Sequence, residues 1–222
     1  MIIAIDGPAG SGKSTIAKII AETLRFRYIN TGAMYRAVAW HAQELGVDLN
    51  NTAGIGRVAA EIKIDFVPDP QGQRILVGGI DVTRTLKSET VGTGAAIVAS
   101  QPQVREAMTA KQREMGKSGD VVMEGRDIGS VVFPQADRKF YIDADPEERG
   151  RRRYRELKGK HADVDLATII EQIRQRDHED ANRKIAPLIR ATDAIYVNTT
   201  QMKIEEVVTL ALRHIDPGAG RE

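Results

Sequence analysis

The sequence predicts an α/β protein, with a parallel sheet between helical layers and a small antiparallel insertion. Three observations lead there. An apolar run, Ile2-Ile3-Ala4-Ile5, is followed by a glycine-rich loop and then a helical pattern. Short apolar strands then alternate with amphipathic helices along most of the chain, the pattern of crossover connections in a parallel sheet. Between residues 62 and 82 the period changes to that of short strands broken by turns, which reads as a meander. A chain of 222 residues is long enough for one substantial core with such an insertion.

The loop after the first strand is Asp6-Gly7-Pro8-Ala9-Gly10-Ser11-Gly12-Lys13-Ser14-Thr15. Strand, glycine loop, lysine, hydroxyl and helix occur in the order of a phosphate-binding loop. Gly7, Gly10 and Gly12 let the backbone approach oxygen atoms closely. Successive N–H groups then form an anion nest at a helix N-terminus. Lys13 is placed to reach the β- and γ-phosphates, and Ser14 to ligate Mg²⁺. Residues Gly7 to Thr15 are therefore the expected nucleotide site. The loop alone does not separate a kinase from a GTPase or a motor.

The first helix is expected over Ser14–Leu24, with Ile16, Ile19, Ile20 and Leu24 toward the sheet. Phe26–Ile29 reads as a strand and Asn30-Thr31-Gly32 as the link to a helix over Ala33–Leu45, which stops at Gly46. Thr52–Ile62 reads as helical. Ile62, Ile64 and Phe66 alternate with polar residues, Pro68–Gly72 is a turn, and Arg74–Val77 with Ile80–Val82 form a hairpin. Leu86–Met115 is helical with a break at Pro102. Val121–Met123 is a buried strand, followed by the polar group Glu124-Gly125-Arg126-Asp127 at its carboxyl end, where open α/β sheets bind ligands. Phe140–Ile142 is a strand, and Asp145-Pro146 opens a helix that carries Arg149, Arg151, Arg152, Arg153, Arg155, Lys158 and Lys160. Leu166–Arg176 is a helix, Asp177–Arg190 charged and irregular, Ala194–Val197 a strand and Ile204–Arg213 a helix. Gly218-Ala219-Gly220 reads as a frayed tail.

Composition narrows the function. A net charge of +1 gives no drive toward nucleic acid or membrane. There is no cysteine, so thiolate chemistry is excluded and a cytoplasmic location is expected. No secretory leader and no membrane-spanning run is evident. The four histidines lack ligand spacing, so a metal should be held through oxygen. The remaining signal is arginine. Arg36 follows a strand end, Arg126 sits at another, and Arg176, Asp177, Asp180 and Arg183 recur at helical spacing. Taken together they suit a second, phosphate-bearing substrate, because guanidinium forks grip phosphate bidentately. Phosphoryl transfer needs positioning and charge neutralisation more than covalent chemistry.

Beyond the loop, the motifs Thr31-Gly32-Ala33-Met34-Tyr35-Arg36, Val104-Arg105-Glu106, Glu124-Gly125-Arg126-Asp127-Ile128-Gly129-Ser130-Val131-Val132-Phe133-Pro134 and Arg176-Asp177 through Asn182-Arg183 to Pro187-Leu188 resemble the bacterial cytidylate kinase family. The resemblance runs from about Ile3 to about Arg213. It implies a P-loop nucleoside monophosphate kinase fold as one domain over 1–222, with a monophosphate-binding insert near 36–95 and a lid near 149–160. It implies γ-phosphoryl transfer from ATP, with Mg²⁺, to CMP or dCMP. Lys13, Arg126, Asp127 and Arg183 are the implied catalytic set. Arg36, Arg126 and Arg183 would hold the acceptor phosphate, Arg176 and Asp180 its ribose, and Arg105 and Asp127 its cytosine, with Thr31 and Ala96 also in the CMP site. Arg149 and Arg153 would reach ATP. Where this chain has Ala96, some family members place a serine that touches the base, so that bond is absent here or supplied elsewhere. A monomer is expected.

A thymidylate or adenylate kinase would share the core, but the insert position and the Gly125-Arg126-Asp127 segment argue against it. A GTPase switch would carry an N-K-x-D base motif, which this sequence lacks. Nucleic-acid binding through the arginine helix disagrees with the near-neutral charge and 5% aromatic content.

Overall fold

The computed structural model describes residues 1–69, 72–158 and 165–215. The tail 218–220, His161 and Lys160, and part of the Pro68–Gly72 turn lie outside the described residues. The chain divides into two compact units, Met1–Tyr28 with Gly119–Glu222, and Ile29–Ser118. Residues 36–95, the expected insert, all lie in the second.

The first unit is built on a five-stranded sheet in the order β2-β6-β1-β7-β8. These strands are β1 (Ile2–Asp6), β2 (Arg27–Asn30), β6 (Val121–Gly125), β7 (Arg138–Asp143) and β8 (Ile195–Asn198). β1 runs parallel to both β6 and β7, and β7 parallel to β8. The central strand reads as a continuous apolar run because both its faces are covered: Ile3, Ala4 and Ile5 have no exposed surface. Helices α1 (Lys13–Leu24) and α8 (Ile204–Ile215) pack Ile16, Ile20, Val207 and Ala211 against Ile3, Ile5, Phe140 and Ile142. Ile19 and Leu24 lie partly buried against the same cluster. The register places Asp6 beside Gly125 and Tyr141, so the ends of β1, β6 and β7 meet at one edge.

The second unit holds the antiparallel meander β3 (Ile64–Asp69), β4 (Gly72–Val77) and β5 (Ile80–Asp81). Gly78 and Gly79 both have positive φ, 56° and 86°, the conformation a two-residue hairpin turn demands. Helices α2 (Thr31–Glu44), α3 (Thr52–Glu61), α4 (Glu89–Ala99) and α5 (Pro102–Lys117) complete it. The break expected at Pro102 is there, with the proline in the first turn of α5. Gly46 has φ 66° just past α2, as a terminating glycine should.

Two sequence expectations are corrected. Asn30-Thr31-Gly32 is not a link: Asn30 caps α2 by accepting from the Ala33 N–H at 3.0 Å, and helix starts at Thr31. Asp177–Arg190 is not irregular from its start, because α7 runs from Leu166 to Ala181. Its last turn has no apolar stripe and is held by Asp177 and Asp180, which bind arginines on other elements.

The basic helix α6 (Pro146–Lys158) meets α7 at Gly150, where a Cβ would lie 2.4 Å from Ile170 Cγ1. Gly150→Ala should therefore destabilise the first unit. Overpacking of about 1–3 kcal/mol outweighs a helix-propensity gain of about 1 kcal/mol. Urea unfolding checks this, and an unchanged or raised midpoint would show that Ile170 yields freely.

Candidate active site

Three positive φ values shape the phosphate loop: 150° at Gly7, 76° at Gly10 and 90° at Gly12. Gly7 is also forced by space, since a Cβ there would lie 2.0 Å from the Ile142 carbonyl oxygen. Gly12 stands at the start of α1 and no side chain caps that helix, which leaves its first-turn N–H groups for an anion. The Ser11 hydroxyl and the Lys13 ammonium both donate to the Pro8 carbonyl, at 3.1 and 3.0 Å, and tie the loop back on itself. Lys13 is buried. Burial above all, and then the charge of Arg126, lowers its ammonium from 10.5 to about 7, against the pull of Glu124. A cation held at such cost, at the mouth of an anion nest, is suited to a ligand that brings negative charge.

The Ser14 hydroxyl donates to Glu124 at 2.8 Å, and the Tyr28 hydroxyl donates to the other oxygen of that carboxylate at 2.5 Å. Glu124 is the fourth residue of β6 and only 2% exposed. With its proton turned to Glu124, the Ser14 oxygen presents its lone pairs outward, as a hard cation requires. Among the described residues no cluster of three or more His, Cys, Asp or Glu side chains could hold a metal alone. The donor set thus fits an Mg²⁺ that Ser14 would hold through its hydroxyl, with the nucleotide supplying further oxygen donors. Glu124→Gln should raise the Mg²⁺ concentration for half-maximal activity about tenfold, the usual scale for an orienting partner behind a metal ligand. A Mg²⁺ titration identical to wild type would remove Glu124 from that role.

β6 leads directly into Arg126 and Asp127. Arg126 Nε donates to Asp180 at 3.0 Å, and Arg183 lies 3.6 Å from the other oxygen of Asp180. Burial raises the Asp180 carboxyl, but Arg126, Arg183 and Arg176 outweigh it and hold it below its ordinary value. Arg183 lies past the end of α7 and not on its face; it donates to the Ala186 carbonyl at 2.8 Å. Asp127 is buried and opens a π-turn over Ile128–Val132. Its carbonyl accepts from both Val131 and Val132, and Phe133 N–H reaches Ile128. The N–H groups of Ile128 and Gly129 donate to the two carboxylate oxygens of Asp6, at 2.8 and 2.7 Å. Sequence reasoning gave Asp6 no role.

Arg149, expected at ATP, is 3% exposed and grips Asp177 with both terminal nitrogens, at 2.9 and 2.5 Å. It also donates to Ala144 and to the loop carbonyl of Ala9. Arg153 is exposed and pairs with Glu156 at 3.2 Å. The arginine that reaches the loop beside Arg149 is Arg152, which contacts the Ser11 carbonyl at 3.4 Å and the Thr199 carbonyl at 2.7 Å. It was missed, although its i, i+3 relation to Arg149 puts the two on one helix face.

In the second unit, Thr31 is buried in the first turn of α2 and Arg36 follows one turn later. Arg105 is buried on α5 with its guanidinium 5.5 Å from the centre of the Tyr35 ring and a bond to the Ala99 carbonyl at 3.2 Å. Ala96 is exposed on α4.

The model of the family described as cytidylate kinase matches residues 3–217. A cytidylate kinase of Pseudomonas putida is 44% identical over 209 residues, 93% of this chain and 92% of that protein. One of a Geobacter species is 43% identical over 215 residues, 97% of this chain and 92% of that protein. An uncharacterised protein of Eubacterium ventriosum, of known structure, aligns with a TM-score of 0.51 at 14% identity, over 97% of this chain and 98% of that one, a likeness of fold alone. With the family model matching nearly the whole chain and curated relatives 43–44% identical over more than nine-tenths of it, the chain belongs to the cytidylate kinase family.

Proposed function

We propose that this chain transfers the γ-phosphoryl group of ATP to CMP or dCMP, giving ADP and the corresponding diphosphate. The family match over residues 3–217 carries the reading. The loop geometry supports the donor half: first-turn amides of α1, Lys13 and the Ser14 hydroxyl converge where a triphosphate would lie. When bound, Mg²⁺ would neutralise charge on the β- and γ-oxygens; Ser14 would hold it, with Glu124 fixing the hydroxyl.

The acceptor half rests on Arg126 and Arg183, both held by Asp180 before any substrate arrives. A guanidinium already fixed in place loses little side-chain entropy on binding phosphate. Arg176 and Asp180 are assigned to the ribose, and Asp127 with Arg105 to cytosine. Thr31, Arg36, Ala96 and Arg105 belong to the second unit, and their part in CMP binding follows from the family resemblance. Arg149, which donates to the loop carbonyl of Ala9, and Arg153 are assigned to the ATP side, and Arg152, at the Ser11 carbonyl, joins them.

The proposed enzyme is a cytoplasmic monomer that binds neither nucleic acid nor membrane. Its near-neutral charge gives no drive toward nucleic acid or a membrane surface. Among the described residues no helix is long and apolar enough to cross a membrane. A coupled assay of ATP with CMP, dCMP, UMP, dTMP and AMP tests the reading. CMP or dCMP should give the highest kcat/KM; preference for dTMP or AMP would overturn it.

A further inference from the structure

We propose that Asp6 is a positioning residue for the acceptor: its carboxylate fixes the turn at 128–132 and thereby the placement of Arg126 and Asp127. The inference rests on the reading that those two residues face CMP.

Asp6 is the last residue of β1 and is 5% exposed. It immediately precedes the phosphate loop, yet both its oxygens are spent on the Ile128 and Gly129 amides, 122 and 123 positions away. Those are the first amides of the π-turn, the end where N–H groups have no partner inside the turn and where a negative charge is favoured. Asp127 immediately precedes them, so the two bonds anchor the backbone on its carboxyl side. Gly129 completes the fit: a Cβ there would lie 3.1 Å from Lys139 Cδ and 3.4 Å from Asp6 Oδ2.

Burial raises the Asp6 carboxyl to about 6, although the Gly129 and Ile128 bonds oppose it, and Asp127 adds to the rise. A carboxyl whose folded value lies above its unfolded value of 3.8 stabilises the fold at low pH, and that contribution is lost as pH rises through about 6. At neutral pH the ionised Asp6 therefore stabilises the fold less than its protonated form does at low pH. A buried carboxylate with both oxygens committed to one turn points to what that turn carries. The charged and titratable groups around Asp6 are Arg126 and Asp127 ahead of the turn, and Lys139 and Tyr141 on β7. The Lys139 ammonium is committed to Asp193 and to the Pro134 carbonyl, which leaves the two amides as the hydrogen-bond partners of Asp6.

Asp6→Asn offers one acceptor oxygen in place of two and turns an NH₂ group toward an N–H. On the full chain at pH 7.5, calorimetry should show CMP binding weakened about tenfold or more, the scale of one charge-assisted bond, with ATP binding within about twofold. The ratio of variant to wild-type CMP dissociation constants should fall toward one at pH 5, where Asp6 is itself protonated; the phosphate of CMP titrates alike in both proteins and cancels. Gly129→Ala, whose Cβ crowds the Lys139 stem under the turn at 3.1 Å and shifts the Gly129 amide relative to Asp6 without touching the loop, should give the same split between CMP and ATP and serves if Asp6→Asn does not fold. Parallel loss of ATP and CMP binding would make Asp6 a support of the phosphate loop and overturn the inference, as would unchanged CMP binding. Asp127→Ala separates the two levels of the argument. If it leaves CMP binding intact, the acceptor reading itself fails. If it weakens CMP binding while Asp6→Asn does not, only the role of Asp6 fails.

Discussion

Lys13→Met should lower kcat by about a hundredfold or more while leaving CMP affinity close to wild type. The expected size is that of removing a donor aimed at charge developing in the transition state. The direction follows from placement. Lys13 opens α1, its ammonium lies at the Pro8 carbonyl of the phosphate loop, and it is 7% exposed. In so buried a position the ammonium is little screened, and a transferring phosphoryl group is the charge it can neutralise. Methionine keeps the length and the apolar stem, so loop packing survives and the ammonium alone is tested. Melting should change little or even rise, because burial makes the wild-type ammonium costly to hold. CMP affinity, read by calorimetry without ATP, controls for damage to the acceptor side. A kcat within about threefold of wild type would remove Lys13 from phosphoryl transfer.

What the sequence made legible is what is local. Strand, glycine loop and helix at 2–24 follow from neighbours in sequence, as do the Gly78-Gly79 hairpin and the Pro102 break. The failures are contacts made across the chain. The last turn of α7 carries Asp177, His178, Glu179 and Asp180, with no apolar stripe for periodicity to detect. Its stabilising partners are Arg149 and Arg126, 28 and 54 residues away. The π-turn after Asp127 needs the Asp6 carboxylate from the far end of the sequence. Glu124 stood in a quoted motif, but its tie to Ser14 spans 110 positions, and the parallel pairing of β1 with β6 is what closes that distance. Arg152 was hidden differently. Arg152 and Arg153 stand three and four residues past Arg149, so spacing brings both to its face and prefers neither, and only the rotation of α6 shows which meets the Ser11 carbonyl. Asn30 could have been found, since an Asx residue three before a helical run is a capping signal; Gly32 in the first turn obscured it.

Base choice gives the second large effect. Cytosine presents an amino donor where uracil presents a carbonyl. In the proposed site the Asp127 carboxylate accepts from that amino group and would face uracil with like polarity. Asp127 is 5% exposed, so water compensates a mismatched base poorly. A site with committed, buried hydrogen-bonding groups rejects the wrong partner strongly, here by about a hundredfold or more in kcat/KM for CMP over UMP. In the same proposal Arg105 would donate to the ring nitrogen and carbonyl of cytosine; its guanidinium lies 5.5 Å from the centre of the Tyr35 ring. Asp127→Asn replaces an acceptor-only group by one that can also donate to the uracil carbonyl. The CMP/UMP preference should therefore shrink, mainly through loss of CMP turnover. Initial rates with both nucleotides at saturating ATP decide it. A ratio equal to wild type would mean that Asp127 does not meet the base and serves only to start the turn, whose first carbonyl it supplies to Val131 and Val132.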